Sequence, residues 1–77
     1  MTRVKIDGER LILKDGVYKR LEVYLDEIES VSVDRRVGGA FCVAVSVGGK
    51  RHRFKFMSKG GAQKACDQIR DARRKVG

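Results

Sequence analysis

The chain has no tryptophan, no proline, a single histidine and two cysteines, and these shortages remove several functions before any pattern is read. Nucleophilic catalysis needs a base and an orienting group beside a serine or cysteine. His52 alternates with Phe54 and Phe56 on one apolar face and reads as a core or rim residue, so no such set is present. No enzyme is expected, and no catalytic or cofactor-binding residue is assigned. A zinc site needs more ligands than Cys42, Cys66 and His52 supply. The acidic run Asp26, Glu27 and Glu29 lacks the further oxygen ligands of a loop cation site. No metal is therefore expected. Cys42 and Cys66 both fall on apolar faces and read as buried free thiols, since buried cysteine behaves as a small hydrophobe. No apolar run approaches the roughly 20 residues of a transmembrane helix. The opening MTRVKIDGER lacks the apolar core of a secretory signal, which makes a cytoplasmic location the expectation.

What is present is ordinary in amount and uneven in distribution. The 77 residues are 42% hydrophobic, too apolar and too patterned for a disordered tail, and read as one domain spanning 1–77. A core of that size is modest but needs no disulfide or metal staple. The net charge of +8 is split sharply: residues 1–34 carry six Lys/Arg against eight Asp/Glu, and residues 35–77 carry twelve against two. A chain polarised in this way usually meets something anionic.

Val4 and Ile6 alternate with charged neighbours, and Asp7-Gly8 then supplies turn chemistry. Leu11 and Leu13 continue one face, Asp15-Gly16 repeats the turn signal, and Leu21, Val23 and Leu25 point inward from a third strand. The spacing leaves no room for crossover helices, so the meander is antiparallel. Leu25, Ile28 and Val31 then recur every three residues, which predicts one tight helical turn at a corner. The expected strands cover about 3–6, 10–14, 17–24, 30–35, 40–47 and 51–57. Ser58 is a predicted N-cap. Ala62, Ala65, Cys66, Ile69, Ala72 and Val76 form the stripe of an amphipathic helix over about 59–75. The fold class is α+β: a small antiparallel sandwich or partly open barrel of about six strands, closed by one C-terminal helix.

The hairpin over residues 40–57 is the strongest functional lead. Phe41, Val43, Val45 and Val47 occupy one face of its first strand, and Arg51, Arg53 and Lys55 occupy the outer face of its second. These cations should recur at about 7 Å, near a nucleic-acid phosphate spacing. Lys50 begins the run, and Arg35 and Arg36 extend it from the hairpin's far end, giving an anion- or partner-binding set. The rival explanation is that basic residues blunt a strand edge against aggregation. Gly38-Gly39 and Gly48-Gly49 read chiefly as turns. A second patch, Ile12, Tyr18 and Tyr24, falls on the outer face of the first sheet and suggests a protein interface or homo-oligomer contact.

The stretches ERLILKDG, VYLDEIESVSV and AQKACDQIRDARR resemble, in that order, the early strand, strand–corner–strand and closing helix of short bacterial pleckstrin-homology-like and GRAM-type domains. The resemblance spans most of residues 9–74 and rests on apolar patterns. It implies a sheet sandwich plugged by the helix through Cys66 and Ile69, and a non-catalytic role in binding lipids or proteins. The chain departs from the lipid-binding members where their basic first hairpin should be, carrying Asp7-Gly8-Glu9 there instead. The expected function is thus a non-enzymatic adaptor docking an acidic protein first, or an anionic membrane surface second, through the basic hairpin. The alternative is a small nucleic-acid-binding protein using the same face, although exposed aromatics for base stacking are lacking there.

Overall fold

The computed structural model describes residues 1–35 and 39–76. Six strands are followed by one helix: β1 (Thr2–Asp7), β2 (Arg10–Asp15), β3 (Lys19–Tyr24), β4 (Ile28–Arg35), β5 (Phe41–Val47), β6 (Lys50–Phe56) and α1 (Lys59–Val76). The strands form two separate antiparallel sheets in simple sequence order, β1-β2-β3 and β4-β5-β6. The expected α+β class and C-terminal helix are present, but the expectation of a partly open barrel is corrected. Among the described residues no backbone ladder joins the two sheets, so they are not closed into a barrel.

Turn chemistry fixes the hairpins. Gly48 and Gly49 both hold positive φ, +59° and +78°, between the paired residues Val47 and Lys50. A two-residue turn with both centres left-handed matches the right-handed twist of its strands, and glycine adopts it without strain. The turn is also held from outside, because the Gly49 N–H donates to Glu29 Oε1 at 2.8 Å. Glu29 reaches it because the β4–β5 register shifts between Ile28 and Ser30. β3 starts at Lys19 and not at 17, since Gly16, Val17 and Tyr18 are used by the turn after Asp15.

The passage between sheets is a three-residue 3₁₀ turn, Leu25–Glu27, where the spacing predicts a helical turn or tight corner. Leu25 donates its N–H to the Glu9 carbonyl at 2.7 Å, and the Tyr24 N–H turns the other way to Glu27 Oε1 at 3.1 Å. Leu25 and Ile28, on either side of the corner, are buried. Their spacing therefore reflects a corner folded onto the core.

The core joins all layers. Leu11 and Leu13 from β2, Val31 from β4, Val43 and Val45 from β5 and Phe54 from β6 meet Ala62, Ala65, Cys66 and Ile69 of α1. Burying each large side chain contributes about 1.5–3 kcal/mol. The small residues of α1 let the helix lie close to β4 and β5. Its start is capped as expected: the Gly61 N–H donates to Ser58 Oγ at 3.0 Å. Both cysteines are buried free thiols.

Two outcomes follow from this packing. Ile69→Ala removes a fully buried plug and should destabilise the fold by about 2–5 kcal/mol. It would be read as a lower urea midpoint with an unchanged slope. The second concerns pH. Burial pushes the Cys66 thiol above its ordinary value of 9.0, against the opposing pull of Arg70. The folded state then holds its proton more tightly than the unfolded chain does. Stability from this group is complete below the ordinary thiol value and is lost as pH rises through the folded one. Unfolding measured between neutral and strongly alkaline pH should show a steeper alkaline loss in the wild type than in Cys66→Ala.

Candidate functional site

The outer face of the β4-β5-β6 sheet is built from three cross-strand rows. Ser30, Ser46 and Arg51 form one, Ser32, Ala44 and Arg53 the next, and Asp34, Cys42 and Lys55 the third. The three cations of β6 share this face, as strand alternation requires. They flank a central strand whose outer residues are all small.

That strand explains an unexpected burial. Cys42 and Ala44 point away from the core cluster, yet their relative exposures are 0% and 1%. Arg51 and Arg53 both lean across β5 toward Asp34, whose Oδ2 lies 3.9 Å from Arg51 Nη2 and 3.7 Å from Arg53 Nε. Their aliphatic stems then lie over the small residues while the charged ends stay in water. The Ser32 hydroxyl meets Asp34 Oδ1 at 3.5 Å on the far side. Surface pairs of this kind are worth about 0–1 kcal/mol, so an incoming anion can displace them. Among the described residues Lys55 has no acidic partner.

The remaining members of the expected basic set lie elsewhere. Arg35 and Lys50 have the opposite parity, in register with Phe41 and Val47, and stand at the two ends of the sheet. The Arg35 guanidinium lies 5.9 Å from the centroid of the Phe41 ring. Neither extends the strip of Arg51, Arg53 and Lys55. Arg36 lies outside the described residues, as does Gly38. His52 sits half-buried in the inner row between Val45 and the edge.

β6 is also an edge strand, which bears on the rival explanation. Two of its outward carbonyls are taken up by the other sheet: Thr2 Oγ1 donates to the Lys55 carbonyl at 2.6 Å, and Lys19 Nζ donates to that of Arg53. Lys19 Nζ also lies 4.7 Å over the Phe54 ring. The opposite edge, β4, is covered from α1, where Arg70 donates to the Val31 carbonyl at 2.9 Å and Arg73 to that of Ile28 at 2.7 Å. Each edge of this sheet thus has two carbonyls engaged, by Thr2 and Lys19 on β6 and by Arg70 and Arg73 on β4. The three outer cations of β6 take no part in those four bonds.

A further basic row was missed in the sequence. Arg3, Lys14 and Arg20 stand directly opposite one another across the outer face of the first sheet. Like charges so placed repel, and residues 1–34 as a whole are slightly acidic, which hid the row. Its signal was the pair of short turns, which fix the register of three alternating strands. Nearby, Glu22 accepts from Arg20 at 2.7 Å and from Arg10 at 3.3 Å. The Arg20 hydrogen bond, aided by Arg10 and Lys14, holds the Glu22 carboxyl below its ordinary range.

The expected patch of Ile12, Tyr18 and Tyr24 is not one surface. Ile12 is half-buried in the middle of β2, Tyr24 lies diagonally beside it, and Tyr18 is fully exposed in the turn before β3. Among the described residues no group of three or more His, Cys, Asp or Glu could hold a metal ion, and no helix is long and apolar enough to cross a membrane. Comparison with protein-family models, with curated proteins and with solved structures found no match to this chain.

If Asp34 restrains the two arginines, Asp34→Asn should release them. The variant should elute from a heparin column at higher salt than Asp26→Asn, which makes the same charge change on the exposed corner. Its folding stability should shift by no more than about 1 kcal/mol. Equal elution of the two variants would show that Asp34 does not restrain the strip.

Proposed function

We propose that the chain is a non-enzymatic binding module of the pleckstrin-homology-like type, and that it docks an acidic protein on the outer face of β4-β5-β6. The observation that carries the reading is the common placement of Arg51, Arg53 and Lys55 over the small residues of β5. Guanidinium groups make planar, multidentate contacts to carboxylates, and a flat floor lets a large partner approach them. The strand–corner–strand order and the burial of Cys66 and Ile69 at the helix plug support the family likeness. The acidic first turn, Asp7-Gly8-Glu9, turns the reading away from the lipid site usual in such domains.

The test compares three anionic probes against one variant. Wild-type protein should bind an acidic polyglutamate peptide, and Arg51→Glu combined with Arg53→Glu should abolish that binding. Vesicles containing anionic lipid and a nucleic-acid duplex are the competing probes. A nucleic-acid site would show a log–log salt slope of about 0.9 per phosphate contacted. Preference for duplex with such a slope would replace the protein reading with a nucleic-acid one. Unchanged binding of the double variant to every probe would remove this face as the site.

A further inference from the structure

We propose that β3 pairs antiparallel with β3 of a second copy of this chain, in the register that sets Arg20 opposite Glu22. The proposal uses the free edge of the first sheet and does not depend on the face formed by β4, β5 and β6.

Among the described residues, β3 is the edge that no other element crosses. Side chains from other elements cross both edges of the second sheet, engaging two carbonyls on each, and β1 lies against β6 and α1. β3 ends the first sheet, and among the described residues its outer backbone groups meet only the Glu27 carboxylate. Two hydrogen bonds say which groups point outward. The Leu25 N–H points to the β2 side, at Glu9, and the Tyr24 N–H points away from it, at Glu27. Backbone direction alternates along a strand, so Lys19, Leu21 and Val23 bond to β2, whereas Arg20 and Glu22 present N–H and C=O groups to solvent.

An unpaired row of this kind is a template for another strand. Direct pairing of two identical antiparallel strands places residues of the same face opposite each other. Three registers then use the outward groups of Arg20 and Glu22. One sets Arg20 against Arg20 and another sets Glu22 against Glu22, and both oppose like charges. The third sets Arg20 against Glu22 twice, with Leu21 against Leu21 on the two-fold axis. Each of the two Arg20–Glu22 pairs would exchange two backbone N–H···O bonds. The same register brings Tyr24 of one copy, 52% exposed, to the turn that carries the fully exposed Tyr18 of the other. Leu21 and Val23, half-buried in the isolated chain, lie on the inner side of the junction. The pairing is isologous and closed, so it ends at a dimer with a six-stranded sheet.

Sedimentation of the wild type should show a monomer–dimer equilibrium at concentrations up to about 1 mM. Arg20→Glu alone and Glu22→Arg alone each replace two opposite-charge pairs by like-charge ones and should weaken dimerisation by roughly tenfold. Mixing those two variants should restore a heterodimer, because each then supplies the charge that the other needs. The double exchange Arg20→Glu with Glu22→Arg should dimerise as the wild type does. A readout free of substitution comes from amide exchange in the wild type. The Arg20 and Glu22 amides should become protected as concentration rises, whereas the Leu21 and Val23 amides are protected throughout. A wild type that stays monomeric, a mixture that stays monomeric, or Arg20 and Glu22 amides indifferent to concentration would each overturn the proposal.

Discussion

Two three-stranded sheets have four edges, and every edge carries carbonyls and amides that the neighbouring strand does not reach. A domain of this size has few elements with which to cover them, and that shortage organises much of the structure. Arg70 and Arg73 leave the polar side of α1 to meet carbonyls of β4, and Thr2 and Lys19 cross from the first sheet to meet those of β6. The helix is therefore fixed by two kinds of contact. Its small-residue stripe excludes water from the core, and its arginines fix its position along β4. The apolar stripe alone would allow sliding, whereas a guanidinium bonded to one carbonyl would not.

This use of arginine changes the meaning of the net charge. The positive half of the chain reads in sequence as twelve cations facing an unknown anion. In the fold, Arg70 and Arg73 are engaged by backbone, Arg74 and Lys75 by Asp71 at 3.1 and 3.4 Å, and Arg51 and Arg53 lean to Asp34. Charge that holds the fold and charge that faces outward cannot be told apart by composition. Position on a helix or strand distinguishes them, and then only with the partner element in place.

The legible parts of the sequence were those governed by local rules. Gly48-Gly49 specified a two-residue turn, and Leu25, Ile28 and Val31 at three-residue spacing specified a corner. The stripe from Ala62 to Ile69 specified the buried side of the helix. Contacts between strands distant in sequence were not legible. Asp34 reaches Arg51 and Arg53 across an intervening strand, so its role depends on two registers at once. Arg35 and Lys50 are close to the outer strip in sequence, but strand parity sets them apart from it, and parity is fixed only by the register of the paired strands. Ile12, Tyr18 and Tyr24 share a direction in the alternating pattern, but the turn at Gly16 to Tyr18 sets Tyr18 outside the strand.

The cover over β5 constrains what the proposed docking face can accept. In a two-layer domain the outer side of a central strand is ordinarily wet, yet here Cys42 and Ala44 are dry, and Arg51 and Arg53 lean across that strand toward Asp34. A small anion that drew both guanidiniums upward would satisfy their charge and expose the strand beneath them. The apolar surface uncovered would oppose binding at about 25 cal/mol per Å². A broad partner surface bearing carboxylates replaces both functions together, since it accepts from the arginines and covers the floor. On the proposed reading, this construction would favour a broad protein surface over a free ion.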